Sequence, residues 1–419
     1  MHHRIKSLWS NVYIQGGFIL TVSSFLVNFL NYIFNFIAGR ILGPVGYGEI
    51  TSLFSYITLC SFPIAIISTF IIQKISSHDK DPYLYTHQLE SSFWMLLKKW
   101  SWIGILLLCA IPFIPRITNL SPIVAYTLIP LVLIGFITAF YTSAFQGLKL
   151  FLLYAFIGLI GGGLKLISIL PGLFETNSLP IIVILQLFFN FLLLIAMVFI
   201  LRKYMSKQNS LSYSTNTKSL FHIVTNKYFI MTCASVLGIT LLTTIDMIFV
   251  KKFFSSTDSG IYNSWNLFSK MILYVLGPIA QVSFVFFSDN SQKHLQEKVL
   301  KLSIILLIFV GLVSYFSYTT IGLFLIQILF GTKFNALLPF LSFASLFGTF
   351  YAAITFFNSY FLAKKHKGAF VTILCIPFYI TALFLIPKQI IFVMYTNIIF
   401  CLILTIIYSS FFIFKKNNS

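Results

Sequence analysis

GRILGPVGYGEI, running from Gly39 to Ile50, places five glycines or prolines and one arginine between two long apolar runs. Its GPVGYG core (Gly43 to Gly48) has the letters of a dinucleotide fingerprint. That fingerprint works only after a strand and ahead of an acidic residue about twenty positions on, inside a βαβ unit. Neither flank supplies that context, and both are long and apolar enough to cross a membrane. The stretch therefore predicts a tight extracytoplasmic hairpin between two membrane helices. In it Gly43, Gly46 and Gly48 accept positive φ, and Pro44 prevents the helix from continuing.

The rest of the chain agrees with that reading. Hydrophobic residues make up 58% of the 419 residues and charged residues 9%. The mean hydropathy is +0.94, which excludes a water-soluble core-and-surface protein. Apolar runs predict twelve helices, near 13–39, 47–73, 93–114, 121–145, 151–171, 179–201, 228–250, 260–287, 300–321, 335–362, 369–386 and 390–414. The first run is too long for the apolar region of a secretory signal and lacks a small-residue cleavage site. The five cysteines (Cys60, Cys109, Cys233, Cys375 and Cys401) sit in apolar runs without metal-ligand spacing and read as packing residues. A second glycine cluster, GLIGGGLK (Gly158 to Lys165), fails as a phosphate loop because no Ser or Thr follows the lysine. Gly158, Gly161, Gly162 and Gly163 predict instead a helix that bends or packs closely on a neighbour.

The excess of 28 Lys and Arg over 9 Asp and Glu raises the question of nucleic acid, which the distribution of charge answers. With twelve spans both termini lie on one side of the membrane. That side receives twenty of the basic residues, Lys98, Lys99, Arg202, Lys203, Lys364 and Lys365 among them. The other side receives Arg40, Arg116, Lys251, Lys252, Lys333 and Lys388, while Lys165 and Lys270 fall inside helices. An asymmetry alternating loop by loop is the positive-inside pattern, so both termini are expected in the cytoplasm and no nucleic-acid partner is implied.

The longest polar interruption, 202–227, separates helix six from helix seven and predicts a cytoplasmic linker. The expected domains are thus 1–201, an N-terminal six-helix bundle, and 228–419, a C-terminal one. Two pairs of words suggest that the halves are repeats. FYTSAFQGLK (Phe140 to Lys149) aligns with FFNSYFLAKK (Phe356 to Lys365) at an offset of 216. GRILGPVGYGEITSLFS (Gly39 to Ser55) parallels KKFFSSTDSGIYNSWNLFS (Lys251 to Ser269): a cation, a turn, glycine with tyrosine, then Leu-Phe-Ser.

LGPVGYGEI after the first helix, GLK after the fourth, and TTIDMIFVKKFFSSTDSGIYNSWNLFSK (Thr243 to Lys270) resemble the polysaccharide-transport branch of the MOP flippase superfamily, the Wzx-type O-antigen and capsule repeat-unit flippases. The resemblance spans essentially the whole chain in length, helix count and two-half organisation. It implies an all-α integral membrane protein of the MATE-like fold, with twelve helices in two pseudo-symmetric six-helix bundles around a central cavity. It further implies alternating-access transport of undecaprenyl-pyrophosphate-linked oligosaccharide across the bacterial cytoplasmic (inner) membrane. Polysaccharide polymerase machinery is the expected partner beside the lipid-linked glycan and membrane lipids.

Such a cargo calls for a polar, cationic cavity. Helix one offers Ser24, Asn28, Asn31 and Asn35 on one face. Helix eight offers Asn263, Asn266, Lys270, Tyr274 and Gln281 at matching spacing. These amides either bond sugar hydroxyls or join helices to one another. Lys270, about ten residues or roughly 15 Å inside the outer end of its helix, is too deep to reach the headgroups easily. It is the first candidate for the pyrophosphate, with Lys165 and Arg40 next; either of the latter could instead extend to the headgroup zone. Asp246, the one acid well inside an apolar run, either pairs with Lys270 or Lys165 or couples transport to H⁺ or Na⁺. Coupling ions aside, no cofactor or metal is expected.

The seven histidines are dispersed and the acids do not cluster, so no catalytic constellation is predicted and the chain is not expected to be an enzyme. Three rivals remain. A multidrug exporter of the same superfamily would favour acids in its cavity, against two intramembrane lysines here. A lipid II flippase shares the polyprenyl pyrophosphate handle but usually has fourteen helices. A membrane polysaccharide polymerase or ligase would work through a large outer loop, and every predicted outer loop is short.

Overall fold

A backbone in hydrocarbon must pair its N–H and C=O groups within the segment, so apolar runs of this length become helices. The structure, a computed structural model, describes residues 12–76, 81–174, 178–206, 227–288 and 293–417, and its regular elements there are all helical. The first half holds α1 (Val12–Cys60), α2 (Phe62–Ser76), α3 (Pro82–Lys99), α4 (Ser101–Cys109), α5 (Ile114–Thr118), α6 (Pro122–Tyr126), α7 (Leu128–Gly147), α8 (Phe151–Ile167) and α9 (Leu179–Ser206). The second holds α10 (Lys227–Phe253), α11 (Ser256–Ser288), α12 (Lys293–Thr320), α13 (Gly322–Leu329), α14 (Leu341–Ala363), α15 (Val371–Leu385) and α16 (Ile390–Asn417). Short 3₁₀ turns join several of them. Most of the expected linker, 207–226, lies outside the described residues.

Among the described residues ten stretches are long and apolar enough to cross a membrane, against the twelve expected. One of the ten, Ile19–Cys60, runs for 42 residues and takes in the first expected span with the start of the second. The remainder of that second span is the shorter apolar helix α2. The expected eighth span lies in the 33-residue helix α11, which is not among the ten.

The hairpin expected at Gly43 to Gly48 is a single-residue break instead. Two helical legs, 12–42 and 44–60, meet at Gly43, whose φ of 64° and ψ of −175° only glycine adopts without strain. Pro44 follows as the first residue of the new leg, where its missing N–H leaves nothing unpaired. Gly46 and Gly48 are helical. Gly48 serves packing: a Cβ there would stand 2.8 Å from the backbone nitrogen of Gly260, and one on Gly260 would stand 1.8 Å from the carbonyl oxygen of Pro44.

The chain divides into two compact units, and the division departs from the expected one. One comprises residues up to Ile41 and Cys60–Ser219; the other comprises Leu42–Leu59 and everything from Leu220 on. The second leg of α1, assigned by sequence to the N-terminal bundle, packs within the C-terminal unit because the Gly48 and Gly260 backbones approach without side chains between them. In the first unit Ile75, Phe140, Phe145, Met197 and Leu201 bring α2, α7 and α9 around one core. Gly158, Gly161 and Gly162 of α8 face Val27, Leu193 and Leu30, which bears out close packing, while Gly163 meets open space. In the second unit Trp265 stacks on Phe347 with ring centres 5.2 Å apart and donates Nε1–H to the Phe340 carbonyl.

One sequence repeat is also a structural one. Lys149 and Lys365, 216 positions apart, both adopt left-handed backbone, with φ of 60° and 50°. In each turn the following amide donates five residues back, from Leu150 to the Phe145 carbonyl and from His366 to the Phe361 carbonyl, both at 2.9 Å. The two phenylalanines and two lysines shared by the repeated words therefore occupy the same helix-ending turn.

Candidate substrate and ion sites

In the first unit the polar face of α1 meets the lysine of α8. Lys165 donates from Nζ to Asn31 Oδ1 at 2.9 Å, and its ammonium lies 4.6 Å from the centre of the Phe34 ring. Asn31 and Asn35 turn their amide donors onto the carbonyls of Val27 and Asn31, one helical turn back. Asn31 thereby keeps its oxygen toward the lysine: its amide nitrogen bonds along α1 while its oxygen joins α1 to α8. Asn28, one turn before Asn31, is half-buried; Ser24 and Arg40 are exposed. The α8 glycines bring α8 close enough to α1 for Lys165 to reach across.

The second unit buries a larger polar cluster around Asp246 of α10. Its Oδ2 accepts from Tyr262 Oη at 2.5 Å, Asn266 Nδ2 at 2.8 Å and Asn397 Nδ2 at 3.2 Å. Asn397 also donates to Tyr262 and accepts from Tyr379 Oη at 2.6 Å. Four helices, α10, α11, α15 and α16, thus converge on one carboxylate. Its other oxygen, Oδ1, and Asn266 Oδ1 are buried without a hydrogen-bond partner. Two bare oxygens in an apolar interior are costly unless a proton or a cation serves them.

Lys270 lies near this cluster without pairing with it. Its Nζ donates to the Thr243 carbonyl at 3.2 Å and to Met247 Sδ at 3.4 Å, the residues on either side of Asp246 along α10. Among the described residues no cation stands within ion-pair distance of Asp246, so the direct pair with Lys270 or Lys165 does not form. Helix α11 also begins earlier than expected, at Ser256. Asn263 is buried and donates to Thr51 Oγ1 at 2.7 Å and Ser52 Oγ at 3.2 Å, which makes it a bridge to the second leg of α1. Asn266 serves Asp246. For these two the helix-joining alternative describes the geometry, and neither lines an open surface. The side chain of Gln281 lies outside the described residues.

Two clusters had no place in the sequence reading. Lys251, counted with the outer-side cations, is buried against Glu49 of the α1 second leg. Glu90 of α3 is buried and accepts from Arg202 Nε at 3.0 Å and Tyr141 Oη at 2.9 Å. The signal available for Asn397 and Tyr379 was the one used for α1: polar side chains inside apolar runs.

Solved structures share this arrangement of helices. The chain matches the solved structure of the lipid II flippase MurJ in an inward closed conformation with a TM-score of 0.69 and 15% identity, covering 94% of this chain and 87% of that one. An inward-facing multidrug resistance MATE family transporter of the MOP superfamily gives 0.66 and 13%, covering 94% and 96%. An outward-facing MATE family transporter gives 0.62 and 13%, covering 94% and 93%. At these identities the likeness establishes the fold: a multi-pass membrane protein built like the MOP-superfamily transporters. Residues 13–291 match the polysaccharide biosynthesis protein family, and the chain belongs to it. No curated protein matches it.

Proposed function

We propose that this protein is a flippase that carries undecaprenyl-pyrophosphate-linked oligosaccharide repeat units across the bacterial cytoplasmic membrane by alternating access. The observation that carries the reading is Lys165, a cation held by Asn31 and Phe34 among apolar helices. A lysine is maintained there at a cost of a few kcal/mol, and an anionic passenger gives it a use. Lys165 binds the pyrophosphate, with Arg40 of the same unit as an exposed cation near the helix break. Asn28 and the Asn31–Asn35 face meet the sugar. Membership in a polysaccharide biosynthesis family and a fold shared with a lipid II flippase support a lipid-linked glycan over a cationic drug. Lipid II itself, which has the same handle, is the second reading. The basic connections favour cytoplasmic termini, and the polymerase acts on what is delivered outside.

Asp246 couples the movement to an ion. Its Oδ1, buried and unpartnered as is Asn266 Oδ1, is an acceptor suited to H⁺ or Na⁺. In a deletion strain, lipid-linked repeat units should accumulate on the inner leaflet and be released when the gene is restored. Polymerised glycan left unattached outside would instead indicate a ligase.

A further inference from the structure

A groove on the first unit has the chemistry of a lipid site that the transport reading does not use. It encloses about 650 Å³ between α3, α7 and α9, with Trp94, Lys98, Ile137, Phe191, Phe199 and Arg202 among its walls. The cations and the apolar residues are segregated. Arg202 and Lys98 stand at the end of the groove where α9 finishes, with Lys99 and Lys203 next in sequence. From Phe191 to Arg202 the groove follows eleven positions of α9, roughly 16 Å of helix. That is about half the ~30 Å hydrocarbon thickness, the depth of one leaflet. Phe199 is 71% exposed, as a lipid-facing side chain would be.

The basic end is built as well as charged. Glu90, buried at its base, takes one N–H of Arg202 and the hydroxyl of Tyr141, and Tyr141 in turn accepts from Trp94 Nε1 at 3.1 Å. This fixes the guanidinium while its terminal nitrogens, with most of its five N–H donors, make no ion pair among the described residues. Lys98 is exposed and likewise has no acid within ion-pair distance among the described residues. A tryptophan beside two cations at the mouth of an apolar slot one leaflet deep matches a lipid phosphate above an acyl chain.

We infer that this groove binds one anionic phospholipid of the leaflet facing the basic connections, its phosphate on Arg202 and Lys98 and a chain along α9. The site is independent of the cargo proposed above. Native mass spectrometry of the full-length protein in mild detergent tests it with four probes: phosphatidylglycerol, phosphatidylcholine, undecaprenyl phosphate and inorganic phosphate. Phosphatidylglycerol should be retained about fivefold over phosphatidylcholine, with Lys98→Glu removing the preference and Lys301→Glu, an exposed cation of the other unit, keeping it. Arg202→Gln should act like Lys98→Glu; should it fail to fold without the Glu90 contact, Lys98→Glu decides alone. Equal retention of the two phospholipids, or equal loss in the Lys301 variant, would reduce the groove to ordinary annular lipid. Stronger retention of undecaprenyl phosphate would assign it to the carrier, and displacement by inorganic phosphate alone would leave no role for the chain. Each of those results overturns the inference.

Discussion

Lys251 and Glu49, 202 residues apart in sequence, form a buried ion pair whose side chains are 1% and 8% exposed. It is the charged fastening between α10 and the second leg of α1. Removing one partner of a buried pair strands the other charge, at a cost of about 3–5 kcal/mol. Glu49→Ala and Lys251→Ala should therefore each lower the melting temperature of the detergent-solubilised protein by more than the double substitution does. Additive effects in that double-mutant cycle would mean that the two charges do not depend on each other.

Beside the pair, Ser52 Oγ and Ser259 Oγ lie 3.4 Å apart. Cysteines at both positions should form a disulfide under mild oxidation. If transport requires this segment to separate from α11, the cross-linked protein should stop exporting glycan and recover on reduction. Undiminished export by a fully cross-linked sample would show that the contact stays closed throughout the cycle.

Gly260 tests the same contact sterically. With Pro44 oxygen 1.8 Å from where a Cβ would be, Gly260→Ala forces the two backbones apart. Loss of several degrees of melting temperature is expected, well beyond the roughly 1 kcal/mol scale of an alanine's helix propensity, which here would favour the variant.

Asp246→Asn preserves size and removes the charge. Wild-type protein should gain melting temperature with its coupling ion, Na⁺ compared with choline or a lowered pH, and the variant should not, because only an ion bound to the folded state stabilises it. An equal gain in both proteins would remove Asp246 from the coupling site.

Lys165→Ala should abolish surface polysaccharide with the protein still present in the membrane, whereas Asn31→Ala, which leaves the cation in place, should reduce it only partly. Immunoblotting of membranes alongside glycan staining separates loss of transport from loss of protein.

The class of fold was legible in the apolar runs, and the repeat in the words ending at Lys149 and Lys365, because both rest on local physics. Local reasoning failed where the contact was distant. Gly43 to Gly48 has the composition of a hairpin, and only the approach of Gly260 shows why a helical position, 48, is glycine. Lys251 looked like a loop cation because α10 continues past the apolar run and buries it on Glu49, a partner no periodicity could name. The Asp246 cluster was half visible: Asp246, Asn266 and Lys270 stood out as polar residues in apolar helices. Asn397 and Tyr379 obeyed the same rule in helices whose faces carried no stripe. Asn263 and Asn266 share one polar stripe in the sequence, but which groups they meet depends on packing.

The chain's excursion at Gly43 also constrains how the protein is made. Residues 42–59 leave the ribosome about 200 positions before Gly260 and Lys251 are far enough along to receive them, a delay of roughly 10–40 s at ordinary translation speeds. During that interval a newly inserted segment carrying Glu49 has none of its later neighbours. Until then the segment lacks the packing partners that bury it, and a truncated product ending before α11 should be a substrate for membrane proteases.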